Sequence, residues 1–163
     1  MAEFSAKEIE EKILADFANV ASSIGYSDLH GKLIAVLLVE SEPISLQELS
    51  KKAGYSSSMI SLSLDFLELL GVVKRIKKSG DRKLYIQFQG DLLESLKKAI
   101  LLKLQKAIVD SSIEFEESRK ALKKVGNGEK KKVLRTLNIL EREIKRLERY
   151  VEALSKVELP KED

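Results

Sequence analysis

Ser45-Leu46-Gln47-Glu48-Leu49-Ser50-Lys51-Lys52-Ala53-Gly54-Tyr55-Ser56-Ser57-Ser58-Met59-Ile60-Ser61-Leu62-Ser63-Leu64-Asp65-Phe66-Leu67 decides the fold of this 163-residue chain. The stretch holds two helix starts and one sharp stop. Ser45-Leu46-Gln47-Glu48 is a capping box: the hydroxyl can accept from the N3 amide while the Glu carboxylate reaches back to the cap amide. Gly54 can take the left-handed conformation that ends a helix. Ser56 then caps a second helix, and Ile60, Leu64 and Leu67 recur at i, i+4, i+7 on one inward face. The spacing therefore predicts two short helices joined by a tight turn.

The flanks extend this unit. Upstream, Ile9, Ile13, Phe17, Val20 and Ile24 recur at helical spacing and predict an amphipathic helix over about residues 6–24. Leu29, Leu33, Ile34, Leu37 and Leu38 predict a second helix, capped by Ser27 or Asp28 and ended near Glu42-Pro43. Downstream, Gly71 stops the last helix. Val72–Lys77 and Leu84–Phe88 then read as two strands around the turn cluster Ser79-Gly80-Asp81-Arg82. Three helices and a basic hairpin in this order make a winged helix-turn-helix. Its dominant use is to lay a short helix in the major groove of DNA while the wing reaches the flanking backbone or minor groove.

Charge distribution agrees with that use. The net charge is only +3, but Lys74, Arg75, Lys77, Lys78, Arg82 and Lys83 crowd the hairpin against one acid, Asp81. Local basic clustering is the footprint of a nucleic-acid surface. The first helix is instead acidic, with Glu3, Glu8, Glu10, Glu11 and Asp16. The helix from Ser56 carries small hydroxyls outward, and these allow close approach to phosphates and base edges. The predicted DNA contacts are Ser56, Ser57, Ser58, Ser61 and Leu62 on that helix. Gln47, Lys51 and Lys52 join them from the preceding helix, and Lys74, Lys77, Lys78, Arg82 and Lys83 from the wing.

Composition excludes several classes. Without Cys and with His30 as its one His, the chain has no disulfide and no ordinary transition-metal set. No metal or other cofactor is expected. No apolar run approaches a membrane span and no signal-peptide core is present, so a cytoplasmic protein without membrane contact is expected. Gly25-Tyr26-Ser27-Asp28-Leu29-His30-Gly31-Lys32-Leu33 imitates a phosphate loop. It has one residue too many between its glycines, and Leu33 stands where a Mg²⁺-binding hydroxyl belongs. No catalytic constellation emerges, so the chain is not expected to be an enzyme.

The C-terminal part differs in kind. Leu92 to about Val125 is one helical pattern, broken by Gly126-Asn127-Gly128. Val133, Leu137, Leu140, Ile144, Leu147, Val151 and Leu154 then form a heptad stripe of coiled-coil type. An antiparallel helical hairpin follows, with a tail fraying from about Leu159. Its first helix is apolar on more than one face, so one hairpin cannot bury it all. A homodimer is expected, with Ile9, Ile13, Phe17, Leu101, Ile108, Leu140, Ile144, Leu147, Val151 and Leu154 at the interface. A second basic cluster (Arg119, Lys120, Lys123, Lys124, Lys130, Lys131, Lys132, Arg135) surrounds the Gly126 loop. It reads as the solvated tip of the hairpin or as a second polyanion site.

The fold class predicted is thus mainly α: a winged helix-turn-helix domain with a two-stranded β wing, plus a long C-terminal antiparallel helical hairpin for dimerisation. Residues 1–24 form an interface helix, 25–90 the winged helix and 91–163 the dimerisation region.

Several segments carry a family resemblance over about residues 8–90. They are Gly31-Lys32-Leu33-Ile34-Ala35-Val36-Leu37-Leu38, Glu42–Leu49, Ser56–Ser61, Gly71-Val72-Val73-Lys74-Arg75 and Gly80-Asp81-Arg82-Lys83-Leu84-Tyr85. In this order the chain resembles the MarR superfamily of winged-helix regulators, most of all the GbsR branch with its archaeal members. The resemblance implies a homodimer that places the Ser56–Leu70 helices in successive major grooves of double-stranded DNA. It implies a transcriptional regulator, commonly a repressor, and room for a small-molecule effector of unknown identity. One departure stands out. Related helices carry Lys or Arg near Ser58 or Leu62, so bidentate Arg–guanine readout is absent here, and Asp65 adds a negative charge. Two other uses of the fold remain open: a winged-helix protein–protein module, and a non-specific DNA-binding or chromosome-associated protein.

Overall fold

Capping side chains mark where the helices of the N-terminal part begin. The structure is a computed structural model that describes residues 4–161, so Glu3 lies outside the described residues. Helix α1 (Ala6–Ser23) starts at Ser5, whose hydroxyl accepts from the Glu8 amide while Glu8 reaches back. This is a second capping box. Helix α2 (Asp28–Val39) starts at Ser27, which accepts from the His30 amide. Helix α3 (Leu46–Ala53) starts at the Ser45–Glu48 box and ends at Gly54, with φ 75°. Helix α4 (Ser57–Leu69) is capped by Ser56 and followed by Gly71 at φ 78°.

The hairpin predicted over Val72–Phe88 forms as β2 (Val73–Lys77) and β3 (Leu84–Phe88), paired antiparallel from Val73↔Phe88 to Lys77↔Leu84. The sheet has a third strand that the two-stranded wing lacked. It is β1 (Ile44–Ser45), antiparallel to β3 with Ile44↔Ile86 and Ser45↔Tyr85, giving the order β1-β3-β2. Two residues are too few for an alternation to appear. The extended backbone comes from the cap itself, since Ser45 has φ −69° and ψ 152°.

One core holds these elements together. Leu33, Ile34 and Leu37 of α2, Leu49 of α3, Ile60, Leu64 and Leu67 of α4, and Val72, Val73 and Ile86 of the wing are fully buried. Each such side chain contributes about 1.5–3 kcal/mol through removal from water. The start of the fifth helix, α5 (Leu92–Leu122), closes this core with Leu96 and Ala99. Tyr26 is buried there, and its hydroxyl donates to Ser95 Oγ at 3.3 Å. Helix α1 packs on α2 through Ala18 and Ala21. A Cβ at Gly31 would lie 2.6 Å from the Ala18 carbonyl oxygen, so only glycine permits this approach.

The amphipathic stripe expected on α1 faces away from this core. Ile9, Ile13, Val20 and Ile24 are exposed, and Phe17 alone is partly packed.

The chain divides into two compact units, Met1–Ala99 and Ile100–Asp163. The second holds the rest of α5 and α6 (Asn127–Ser155), broken apart at Gly126 as the sequence predicts. The helices pair antiparallel: Arg119 donates to Asn138 Oδ1 at 2.9 Å and forms an ion pair with Glu141, while Ile108 lies beside Val151. Ile108, Leu122, Leu137 and Val151 are buried in this seam. The seam does not follow the whole predicted stripe. Leu134 and Glu141 are half-buried where the heptad pattern puts Val133 and Leu140, and the latter two are exposed. At the second of these places the Arg119–Glu141 ion pair spans the seam.

Candidate nucleic-acid interface

Helix α4 is fixed by one face and free on the other. Ile60, Ser63, Leu64 and Leu67 are buried. A 3.6-residue period places Ser58, Leu62, Asp65 and Leu69 on the opposite pole. Leu62 is 75% exposed. Ser57, Ser58 and Ser61 are exposed beside it, as the predicted contacts require. Ser56 is already engaged, since its hydroxyl accepts from the Met59 amide at 3.4 Å and lies 3.2 Å from the Ser58 hydroxyl. No Lys or Arg lies on α4, so positive charge near this helix comes from its neighbours.

Arg75 is one such neighbour, and it points inward. It pairs across the sheet with Ile86 on the face that carries Val73 and Ile86 into the core. Its guanidinium donates to Asp65 Oδ1 at 2.6 Å, Glu68 Oε2 at 2.5 Å and the Ser61 carbonyl at 3.1 Å. The hydrogen bond to Asp65 holds the guanidinium pKa above its ordinary value, aided by the Glu68 charge and opposed by burial. Arg75 thus ties the wing strand to α4 and neutralises acids that would repel a phosphate. Sequence reasoning placed Arg75 among the basic wing residues and missed this clamp. The signal was Asp65 and Glu68 at i, i+3, followed seven residues later by an arginine.

The wing tip is ordered by its own hydrogen bonds. Asp81 accepts from the Lys83 amide at 2.9 Å and from the Tyr85 hydroxyl at 2.8 Å. These bonds, the amide first, hold the Asp81 carboxyl below its ordinary pKa, while the same carboxylate raises Tyr85. Lys78 Nζ sits 4.0 Å from the centre of the Tyr85 ring, a cation–π contact that steadies it over the turn. Lys74, Lys77, Lys78, Arg82 and Lys83 are all exposed.

On α3, Gln47 and Lys51 are exposed, whereas Lys52 forms an ion pair with Glu40 at the end of α2. Glu48 belongs to the cap, and the Ser45 amide and hydroxyl lower its pKa. His30 is neither buried nor part of a metal cluster. Its ring lies 5.0 Å from Phe66 and 6.4 Å from Tyr26, and no group of acids and histidines able to hold a metal occurs among the described residues. Likewise, no helix among them is long and apolar enough to cross a membrane.

The expected dimer contacts divide by burial. Ile9, Ile13 and Leu140 are exposed; Phe17, Leu101, Ile144, Leu147 and Leu154 are half-buried; Ile108 and Val151 are buried within the chain itself.

No protein-family model matches the sequence, and no curated protein does. Solved structures do. The chain is similar to a crystallised transcriptional regulator at 17% identity and TM-score 0.54, covering 91% of this chain and 99% of that one. It also matches the transcriptional regulator BldR from Sulfolobus solfataricus at 24% identity, 83% and 89% coverage and TM-score 0.41. A MarR family transcriptional regulator from Silicibacter pomeroyi matches at 16% identity, 83% and 86% coverage and TM-score 0.42. The first of these establishes the fold: a winged helix followed by long C-terminal helices.

Proposed function

We propose that the chain is a sequence-specific, double-stranded DNA-binding transcriptional regulator of the MarR type, and not an enzyme. The observation that carries this is the division of labour on α4. One face is locked into the core, the other is open with Ser58 and Leu62 at its pole, and an exposed basic wing tip belongs to the same compact unit. The fold shared with a transcriptional regulator supports it. Ser57, Ser58 and Ser61 approach bases or phosphates, and Leu62 meets thymine methyls. Gln47 and Lys51 touch the backbone, with Lys52 available once it leaves Glu40. Arg82, Lys83, Lys77, Lys78 and Lys74 act from the wing.

The regulator works as a homodimer in the cytoplasm, as a repressor nearest the GbsR branch with its archaeal members, and responds to a small-molecule effector. Residues 1–24 and 91–163 supply the interface around a winged helix at 25–90, with coiled-coil-like packing. The exposed α1 stripe, with Leu140, supports this assignment. Ile108 and Val151 serve it by shaping the hairpin from inside.

The test is selection from random duplex DNA at near-physiological salt. Recovery of a palindrome with half-sites about one helical turn apart is the expected result. No enrichment would overturn the reading. It would favour non-specific DNA binding or a protein–protein module, and for the module one observation speaks: Met59, Leu62 and Leu69 are exposed apolar side chains on α4.

A further inference from the structure

The hairpin tip of the second unit holds a second concentration of basic charge, apart from the wing. Between Arg119 and Arg135 lie eight Lys or Arg residues against one acid, Glu129, in a chain whose net charge is +3. Two of the cations are neutralised in place, Arg119 by Glu141 and Lys120 by Glu116. Lys123, Lys124, Lys131, Lys132 and Arg135 are exposed and have no carboxylate within ion-pair distance among the described residues.

Helix electrostatics explain only half of this. Arg119, Lys120, Lys123 and Lys124 sit at the C-terminal end of α5, where cations oppose the macrodipole and stabilise the helix. Lys130, Lys131 and Lys132 sit at the N-terminal end of α6, where the dipole favours acids and cations are unfavourable. Lys131 and Arg135 are also like charges at i, i+4, which weakens a helix further. Glu129 supplies the acid that the dipole favours in the first turn of α6, and the cations that follow it add nothing to that.

Lys131, Lys132 and Arg135 line a shallow open groove along α6, which Gly128, Leu134, Asn138, Ile139 and Arg142 complete. Its four cations and Asn138 are phosphate-contacting residue types. Lys131, Arg135, Asn138 and Arg142 follow one another at spacings of four, three and four residues, each about one helical turn, ~5.4 Å.

We propose that this tip is a second nucleic-acid site, which holds the phosphate backbone of duplex DNA without reading sequence. The chemistry favours a duplex over a single strand. No aromatic residue lies between Glu116 and Arg149, so no ring is offered for base stacking. It also favours phosphate contact over base readout, because lysines dominate and act as point charges. The site is separate from the wing in sequence and belongs to the other compact unit.

The test compares the full-length chain with the variant K123Q/K131Q/K132Q/R135Q and with R82A/K83A, on a random-sequence duplex across a salt series. Removing one cation from a phosphate lowers the slope of log affinity against log salt by about 0.9, so the tip variant, which loses four, is expected to lower it by about 3.6. Its affinity at low salt should fall at least tenfold. Its melting temperature should change little, because relief of the Lys131–Arg135 repulsion offsets loss of the favourable Lys123 charge at the end of α5. Unchanged slope and affinity would overturn the proposal. If only R82A/K83A weakens binding, the wing binds DNA and the tip does not. If only the tip variant does, the tip proposal stands without the wing. Phosphatidylserine vesicles provide the last arm. Capture of the chain by vesicles that the tip variant abolishes, with duplex binding untouched, would also overturn the proposal and assign the tip to a membrane surface.

Discussion

Replacing Arg75 with Met keeps the aliphatic stem and removes the clamp between wing and α4. The Arg75 side chain is 24% exposed, against 69% for Asp65 and 42% for Glu68. Solvent screening therefore limits each ion pair to about 0.5 kcal/mol, within the ~0.2–1 kcal/mol range of exposed pairs. The charged hydrogen bond to the Ser61 carbonyl adds about 1 kcal/mol. The expected loss is about 2 kcal/mol, read as a shift in urea midpoint at constant slope. The decisive assay is a double-mutant cycle with D65N/E68Q. The coupling expected is about 1 kcal/mol; a value below ~0.3 kcal/mol, the scatter of independent sites, would refute the clamp. DNA affinity supplies a second axis. R75M leaves two unneutralised carboxylates beside the proposed phosphate path and should weaken binding severalfold, and D65N/E68Q should restore it. An arginine that touched DNA directly would not be rescued in this way.

Leu64→Ala removes a fully buried α4 side chain and should destabilise by about 2–5 kcal/mol in denaturant unfolding, with DNA binding lost in parallel. Retention of wild-type stability would contradict the core described above. The Asp81–Tyr85 bond defines a pH window. Asp81 is lowered from 3.8, so the stabilisation is present above that value and disappears as pH falls through the lower folded pKa; Tyr85 is raised from 10.0, so it disappears again as pH rises through the higher one. Carboxyl NMR titration should find Asp81 below its ordinary value, and a value at or above it would contradict the wing-tip geometry. Ile13→Asp places a charge in the exposed α1 stripe. It should shift the chain from dimer to monomer in sedimentation velocity, and an unchanged dimer would remove α1 from the interface.

Local chemistry made much of the winged-helix unit legible. Ser45 with Glu48, Gly54, Ser56 and Gly71 each mark a boundary through one side chain or one forced backbone angle, and the structure has helices α3 and α4 between them. What the sequence hid depends on partners distant in the chain. Periodicity revealed that α1 has an apolar stripe, but not that Ala18, Ala21 and Gly31 would take the core side by close approach. The α6 stripe was visible, yet Glu141 lies in the seam, paired with Arg119. Strand β1 escaped because its two residues also serve as the entry to a cap. The exposure of Ser57, Ser58, Ser61 and the wing lysines followed from the pattern. The inward turn of Arg75 and the engagement of Lys52 by Glu40 did not, since side-chain pairing across elements leaves no periodic trace.

The core of the first unit is completed by Leu96 and Ala99, with Ser95 receiving the buried Tyr26 hydroxyl. During synthesis, then, the core of the winged helix is still incomplete when the wing has been made. It must wait for the next two turns of helix, while the apolar faces of α2 and α4 stand open to chaperones. The winged-helix core can be sealed only once Ala99 has left the ribosome. A fragment intended to carry the winged helix alone should therefore end after Ala99, and one trimmed at Gly90 should be prone to aggregate.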